Sequence, residues 1–282
     1  MADLRIATRG SRLAMTQARY VADRLGDAHP GLEVEIVEIA TSGDVDRTTP
    51  VTALTEMGAF VRAVQVAVLD GRADLAVHSA KDLPTTGPEG LCPVYPGRER
   101  PWDVLCGATP ETLPAGATVG TGSPRRAAQL RLLRPDLSIV GIRGNVETRL
   151  DKVGEAVDAV VLAEAGLHRL GLDDRIDHRF GLDEMVPAPA QAALCVEVVG
   201  HAVDLVMAID DAAIRRLVEA ERRLLAETGA GCRSALGALA REDGSSIRLT
   251  AFVEDDAGPR RIAVTAPDGP SAVSAVRQGL GV

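Results

Sequence analysis

Aromatic side chains are nearly missing from this sequence: 282 residues include three Phe, two Tyr and one Trp, 2% in all. A base-stacking surface of the kind that grips single-stranded nucleic acid is therefore not expected. The core must be built mainly from Leu, Val, Ile and Ala. Cysteine is scarce as well. Cys92, Cys106, Cys195 and Cys232 show no CxxC spacing, which argues against a zinc site and against a disulfide framework. Positive charge is not in excess, since 31 Lys and Arg against 40 Asp and Glu leave a net −9. That balance speaks against nucleic acid or an anionic membrane as partner, yet leaves room for a small anionic ligand held by local charge. No apolar run is long enough to span a bilayer. Met1 is followed by strand-like LRIAT with no signal-peptide pattern, so the reducing cytoplasm is the expected compartment.

What remains is ordinary globular composition, 46% hydrophobic and 25% charged, on a chain long enough for one to three domains. Strand-like and helix-like stretches alternate. Leu4 to Ala7 reads as a short buried strand. Ala14, Ala18, Val21 and Leu25 recur at helical spacing, and LEVEIVEI (32–39) alternates with period two. A helix around Phe60 to Leu69 and a strand at Leu75 to His78 follow. A second series begins after the charged segment 97–101. Its strands are expected near 104–107, 118–121, 139–142 and 159–162, and its helices near Pro124, Asn145 and Glu164. Such βαβα order predicts α/β units on parallel sheets. VPAP (186–189) marks a crossing between units. Asp210 to Glu227 reads as an amphipathic helix, and strands at 247–253 and 261–266 with a helix from Ser271 make a small α+β tail. The expected division is residues 1–97 with 192–209 as domain 1, 98–191 as domain 2 and 210–282 as domain 3. No short-period repeat is visible.

Two turns have the chemistry of anion sites. TRGS (8–11) and GTGSPRR (120–126) each join a strand end to a helix, with a serine at the N-cap and arginine beside it. Free N–H groups at a helix N-terminus attract anions, Pro124 suits the first helical position, and the forks of Arg9, Arg125 and Arg126 match carboxylates. Either turn alone is equally well read as an ordinary capped helix. The matching pair favours a ligand cleft at the carboxyl ends of the strands. RGNVETRL (143–150) adds Arg143 and Arg149, and AEAGLHRLGL (163–172) adds Arg169.

HSAKDLP (78–84) closes a buried strand, which puts Asp82 at the rim of such a cleft. An ionised carboxylate there can stabilise a developing cation and pass protons. The plainer alternative is a structural ion pair of Asp82 with Lys81, and His78 reads as a strand-end packing residue. Cys232 stands in GAGCRSALG (229–237), where small neighbours let a bulky group approach. A buried inert thiol is the alternative there, and the preferred reading for the other three cysteines.

RIATRGSRLAMTQA, HSAKDLP, GTGSPRR, RGNVETRL, LAEAGLHRLGL and GAGCRSALG stand in an order that resembles the porphobilinogen deaminases (hydroxymethylbilane synthases) over nearly the whole chain. The resemblance implies two periplasmic-binding-protein-like α/β domains followed by a small α+β domain. It implies Asp82 as the catalytic aspartate and Cys232 as the thioether anchor of a dipyrromethane cofactor. Lys81, Ser123, Arg125 and Arg126 match cofactor-binding positions. Arg9, Ser11, Gln17, Arg143, Arg149 and Arg169 match substrate-binding positions, Gln17 with the less defined role. The implied reaction is the stepwise condensation of four porphobilinogen molecules, with loss of ammonia, on the covalent primer, followed by hydrolytic release of hydroxymethylbilane. No metal is required, the partner is a small pyrrole, and a monomer is expected.

The chain departs from the family pattern in places. Ala53 and Met57 stand where lysines of a lid are usual, and Ala63 where glutamate is. Trp102 stands where PRD has arginine, and Gly122 where serine is usual. AQAALCVEVV (190–199) replaces GQGA…IECR. A paralogue with a different or shorter pyrrole product, and a non-catalytic small-anion binding protein, are the competing readings.

Overall fold

A computed structural model describes residues 2–40, 53–229 and 235–282, with residues 53–60 described in their backbone alone. The chain begins with β1 (Leu4–Thr8), α1 (Arg12–Ala28), β2 (Val34–Glu38), α2 (Ala53–Leu69), β3 (Leu75–Ser79) and β4 (Leu91–Val94). It continues with β5 (Asp103–Cys106), β6 (Thr118–Gly120), α3 (Pro124–Leu133), β7 (Ser138–Val140), α4 (Val146–Leu150), β8 (Ala159–Ala163), α5 (Glu164–Leu170) and β9 (His178–Arg179). Then come β10 (Leu194–Val199), α6 (Val203–Met207), α7 (Ala212–Glu227), β11 (Ala235–Asp243), β12 (Ser246–Asp255), β13 (Gly258–Ala266) and α8 (Gly269–Leu280). Two compact units result: residues 1–98 with 193–215, and residues 99–192 with 216–282.

The two five-stranded sheets share one topology. Their orders are β2-β1-β3-β10-β4 and β7-β6-β8-β5-β9. In each, three neighbouring strands are parallel and the fourth and fifth reverse in turn. The expectation of parallel sheets is thus corrected to mixed ones. The reason lies in chain order. β5 and β10 are each the first sheet strand after the chain changes unit, and each runs against its neighbour. The likeness reaches single hydrogen bonds. Asp74 donates its N–H to Arg5 O at 2.9 Å and its carboxylate accepts from Arg5 N at 2.8 Å. Asp158 does the same with Thr118, at 2.8 and 2.7 Å. The repeat is one of topology, which explains why no short sequence period marks it.

Helices cover both faces. In the first unit Leu4, Ile6, Leu75 and Val77 pack on Ala18, Val21 and Leu25 of α1, while Ala7 and Ala76 pack on Val64, Ala67 and Val68 of α2. In the second, Leu105, Val119 and Val161 meet Leu130 of α3, and Val104, Val160 and Leu162 meet Leu150 and Leu167. The antiparallel sheet β11-β12-β13 packs on α7 through Leu217, Ala220 and Leu224, and on α8 through Val273, Val276 and Leu280. The architecture is therefore two α/β sheets with helices plus a small α+β portion, as the sequence pattern predicts.

Four strands were not expected, one of them β10, whose residues 194–199 carry no turn signal immediately before them. β4 carries Pro93 at a sheet edge, where a missing N–H is tolerated. β9 has two residues. β11 has six buried residues in a row, without the alternation of a half-wet strand. Its Gly237 is required by close approach, because a Cβ there would lie 2.6 Å from Val186 O.

Candidate functional site

In the first unit the carboxyl ends of β1 and β3 carry the two turns singled out above. Thr8 ends β1, and Ser11 caps α1 by accepting from Ala14 N at 3.3 Å. Past β3 the chain makes a 3-10 turn over Ala80–Asp82, anchored by Ala80 N donating to Ala193 O at 3.0 Å. Between these turns lies a recess of about 120 Å³, lined by Arg9, Ser11, Gln17, His78, Ser79 and Asp82 with apolar walls from Leu13, Ala14, Val61 and Val77. The structure thus brings together Arg9, Ser11, Gln17 and Asp82. Lys81 is half-buried in the same turn and outside the lining.

Gln17 is buried, and its amide donates to Ser79 Oγ at 3.0 Å, tying α1 to the end of β3. Asp82 is half-buried, and no hydrogen bond or ion pair reaches it among the described residues. An ion pair with Lys81 therefore does not account for its place. Its carboxylate lines a polar recess with Arg9, an arrangement that can accept the donors of a ligand. Ser79 and His78 were not foreseen as lining residues, although both belong to HSAKDLP.

In the second unit Ser123 caps α3, accepting from Arg126 N at 3.4 Å, with Pro124 at the first helical position. Arg125 and Arg126 do not point outward from this turn. Both are buried and both bind Asp103, which is fully buried at the start of β5. Arg125 reaches Asp103 Oδ2 at 2.7 Å, and Arg126 reaches Oδ1 at 2.7 Å through Nη2 and 2.8 Å through Nε. Gln191 donates to the same carboxylate at 3.1 Å. Burial alone would push the Asp103 carboxyl up; the two guanidiniums and the amide outweigh it and hold the acid far below the usual carboxylate range. Two cations against one anion leave this buried group with one positive charge in excess.

The other arginines follow neighbouring strands. Arg143 is exposed after β7, and Arg149 is half-buried with Nε donating to Gly144 O at 2.8 Å. Gly144 has φ +118°, and Asn145 caps α4 by accepting from Thr148 N at 2.8 Å. Arg169 donates to Glu99 Oε1 at 2.8 Å and to Ala192 O at 2.7 Å. Asp103 and Glu164 were missed by the sequence reading. Glu164 is buried and accepts from Arg179 Nε at 2.7 Å. The available signal was a carboxylate heading a run of buried apolar residues, which demands a cationic partner. Cys232 and the side chains of Ala53 and Met57 lie outside the described residues. At Gly122 a Cβ would stand 3.0 Å from Ile142 O, so the glycine fits a close backbone approach.

Comparison with known proteins adds to this geometry. The family model described as porphobilinogen deaminase, dipyromethane cofactor binding domain, matches residues 4–206. A porphobilinogen deaminase of Roseiflexus castenholzii is 45% identical over 258 residues, covering 89% of this chain and 85% of the relative. One from Thermobifida fusca is 46% identical over 282 residues, covering 96% and 84%. Among solved structures, the periplasmic VFT2 domain of Bordetella pertussis BvgS is similar with a TM-score of 0.41 and 17% identity, covering 73% of this chain and 84% of that one. The fold class stands on the sheet topology and not on this loose likeness.

Proposed function

The chain belongs to the porphobilinogen deaminase family, and from that premise we propose that it works as a hydroxymethylbilane synthase with Asp82 at the reacting centre. The observation that carries the reading is the Asp82 carboxylate, with no partner among the described residues, in a recess shared with Arg9, Ser11 and Gln17. An anion there stabilises the cation left when the aminomethyl group of porphobilinogen departs as ammonia, and it passes protons to and from the reacting atoms. Arg9, Ser11 and Gln17 bind and orient the substrate, together with Arg143, Arg149 and Arg169, whose guanidiniums match its acetate and propionate.

The donor set also fits a dipyrromethane, whose side chains are carboxylates. Cys232 holds it through a thioether. Lys81, Ser123 with the α3 N-terminus, and the net-positive group of Arg125 and Arg126 neutralise its charge. When bound, it supplies the pyrrole carbon to which the first substrate is joined. No metal enters this scheme. A cytoplasmic monomer divided near residues 98, 192 and 210 into three domains completes the reading.

Intact-mass measurement on protein from a host that makes porphobilinogen tests it, with assay of the released product. An adduct of two pyrrole units on Cys232 and formation of hydroxymethylbilane are expected. An unmodified thiol sinks the reading. A shorter product instead favours the paralogue suggested by Ala53 and Met57.

A further inference from the structure

Behind the recess lies a buried acid that the reaction as described leaves unused. Across β3 and β10, Cys195 stands opposite His78 and Glu197 opposite Ala76. Opposed residues share a face of the sheet, so His78 and Glu197 both project toward α2. There Gln65 donates its amide to Glu197 Oε2 at 2.8 Å. All three are nearly enclosed, at 7%, 6% and 5% exposure for His78, Glu197 and Gln65. His78 Nε2 lies 3.2 Å from Glu197 Oε2, and its N–H is not aligned for a hydrogen bond. The rest of this layer is apolar, with Val64, Ala67, Val68 and Val199.

An ionised carboxylate in such a layer is strongly disfavoured without a counter-charge. Among the described residues, the ionisable group at ion-pair distance from Glu197 is His78. His78 also lines the recess that holds Asp82. The groups around it can be named by element. Glu197 and the thiol of Cys195 come from β10, and the neutral Gln65 from the described part of α2. Asp82 comes from the turn after β3, which also carries Lys81 outside the lining, and Arg9 from the turn after β1.

We propose that His78 and Glu197 form a proton-storing pair behind Asp82. This rests on the function proposed above. At the start of a condensation the pair holds one proton, as imidazolium and carboxylate. The proton passes through Asp82 to the amine nitrogen of the substrate. The C–N bond then breaks, its electron pair leaving with ammonia. The α-carbon of the acceptor pyrrole forms the new C–C bond, and its C–H bond breaks with the electrons returning to the ring. That proton goes back through Asp82 to His78, so the protons balance over one addition. While the substrate cation exists, the pair carries a net negative charge beside it, in addition to that of Asp82. His78 and Glu197 act through Asp82 and are positioning residues for its proton.

Glu197→Gln keeps the shape and removes the counter-charge. The imidazole of His78 then holds its proton less well. The alkaline limb of the kcat–pH profile moves to lower pH by about one unit, and kcat at pH 8 falls about tenfold, while the melting temperature does not drop. His78→Asn abolishes that limb, with kcat lower at all pH. A readout independent of turnover is the imidazole NMR titration of His78, one of five histidines, identified by its loss in His78→Asn. Its protonation midpoint moves to lower pH in Glu197→Gln. Superimposable pH profiles, or an unmoved titration of His78, overturn the proposal. If Glu197→Gln fails to fold, His78→Asn decides: a retained alkaline limb overturns the pair. Parent enzyme that turns over no porphobilinogen refutes the function instead, and the NMR titration still judges the pair.

Discussion

Asp103 and Arg125 are joined twice inside the second unit, Nη1 to Oδ2 at 2.7 Å and Nη2 to Oδ1 at 3.3 Å, with Arg126 closing on the same carboxylate. Removing the acid leaves two buried guanidiniums facing each other. Asp103→Ala should therefore lower stability by about 3–5 kcal/mol. Urea unfolding followed by circular dichroism reads this, and a loss under 1 kcal/mol would contradict the buried network.

The same carboxylate sets a pH dependence. Its acid strength is raised in the folded state, so its folded pKa lies below the unfolded one. Its contribution is full above the unfolded value, near 3.9 for Asp, and is lost as pH falls through the folded value. The stability difference between the parent and Asp103→Asn should be constant from about pH 5 to 7 and narrow only below about pH 4. Urea midpoints across that range check it. Narrowing already at pH 6 would point to another group.

Asp82→Asn preserves the shape of the 3-10 turn and removes the negative charge. Turnover of porphobilinogen should fall by about 10²–10⁴ with KM changed only a few-fold. Steady-state kinetics decide, and full activity in this variant removes Asp82 from the reacting centre.

Gln17 and Ser79 couple α1 to the turn that carries Asp82. A double-mutant cycle of Gln17→Leu and Ser79→Ala should give an interaction of about 0.5–1.5 kcal/mol. A coupling near zero would mean that the two side chains contribute independently.

Ala190 and Ala192 occupy left-handed backbone, with φ of 62° and 69°. Relief of strain on Ala190→Gly, about 1–2 kcal/mol, is offset by chain entropy and by one lost buried methyl, roughly 1–2 kcal/mol together. The variant should lie within about 0.5 kcal/mol of the parent, whereas Ala190→Val, β-branched at positive φ, should cost about 2 kcal/mol or more. Urea midpoints of both variants test this. Ala190 N also donates to the buried Glu221 at 2.6 Å, so the segment has little freedom to relax.

The sequence by itself determined the elements whose causes are local. Ala18, Val21 and Leu25 repeat within one helix and now face one core. Ser11, Ser123 and Asn145 cap helices three residues away, as their side-chain chemistry predicts. The turns carrying Arg9 and Asp82 were likewise legible, each being a strand end and a few residues. The tertiary structure decided what depends on distant segments. That β10 returns beside β3 brings Glu197 to His78, 119 residues away in sequence, and no periodicity records it. The destination of Arg125 and Arg126 is of the same kind. Their place after β6 was legible, but the sheet order alone puts the head of β5 within reach, so that both also bind the buried Asp103. Caps and periods arise from interactions within one or two turns of chain. The partner of a buried charge is chosen by strand pairing, since a one-residue slip would turn that charge to the other face of the sheet, away from its partner.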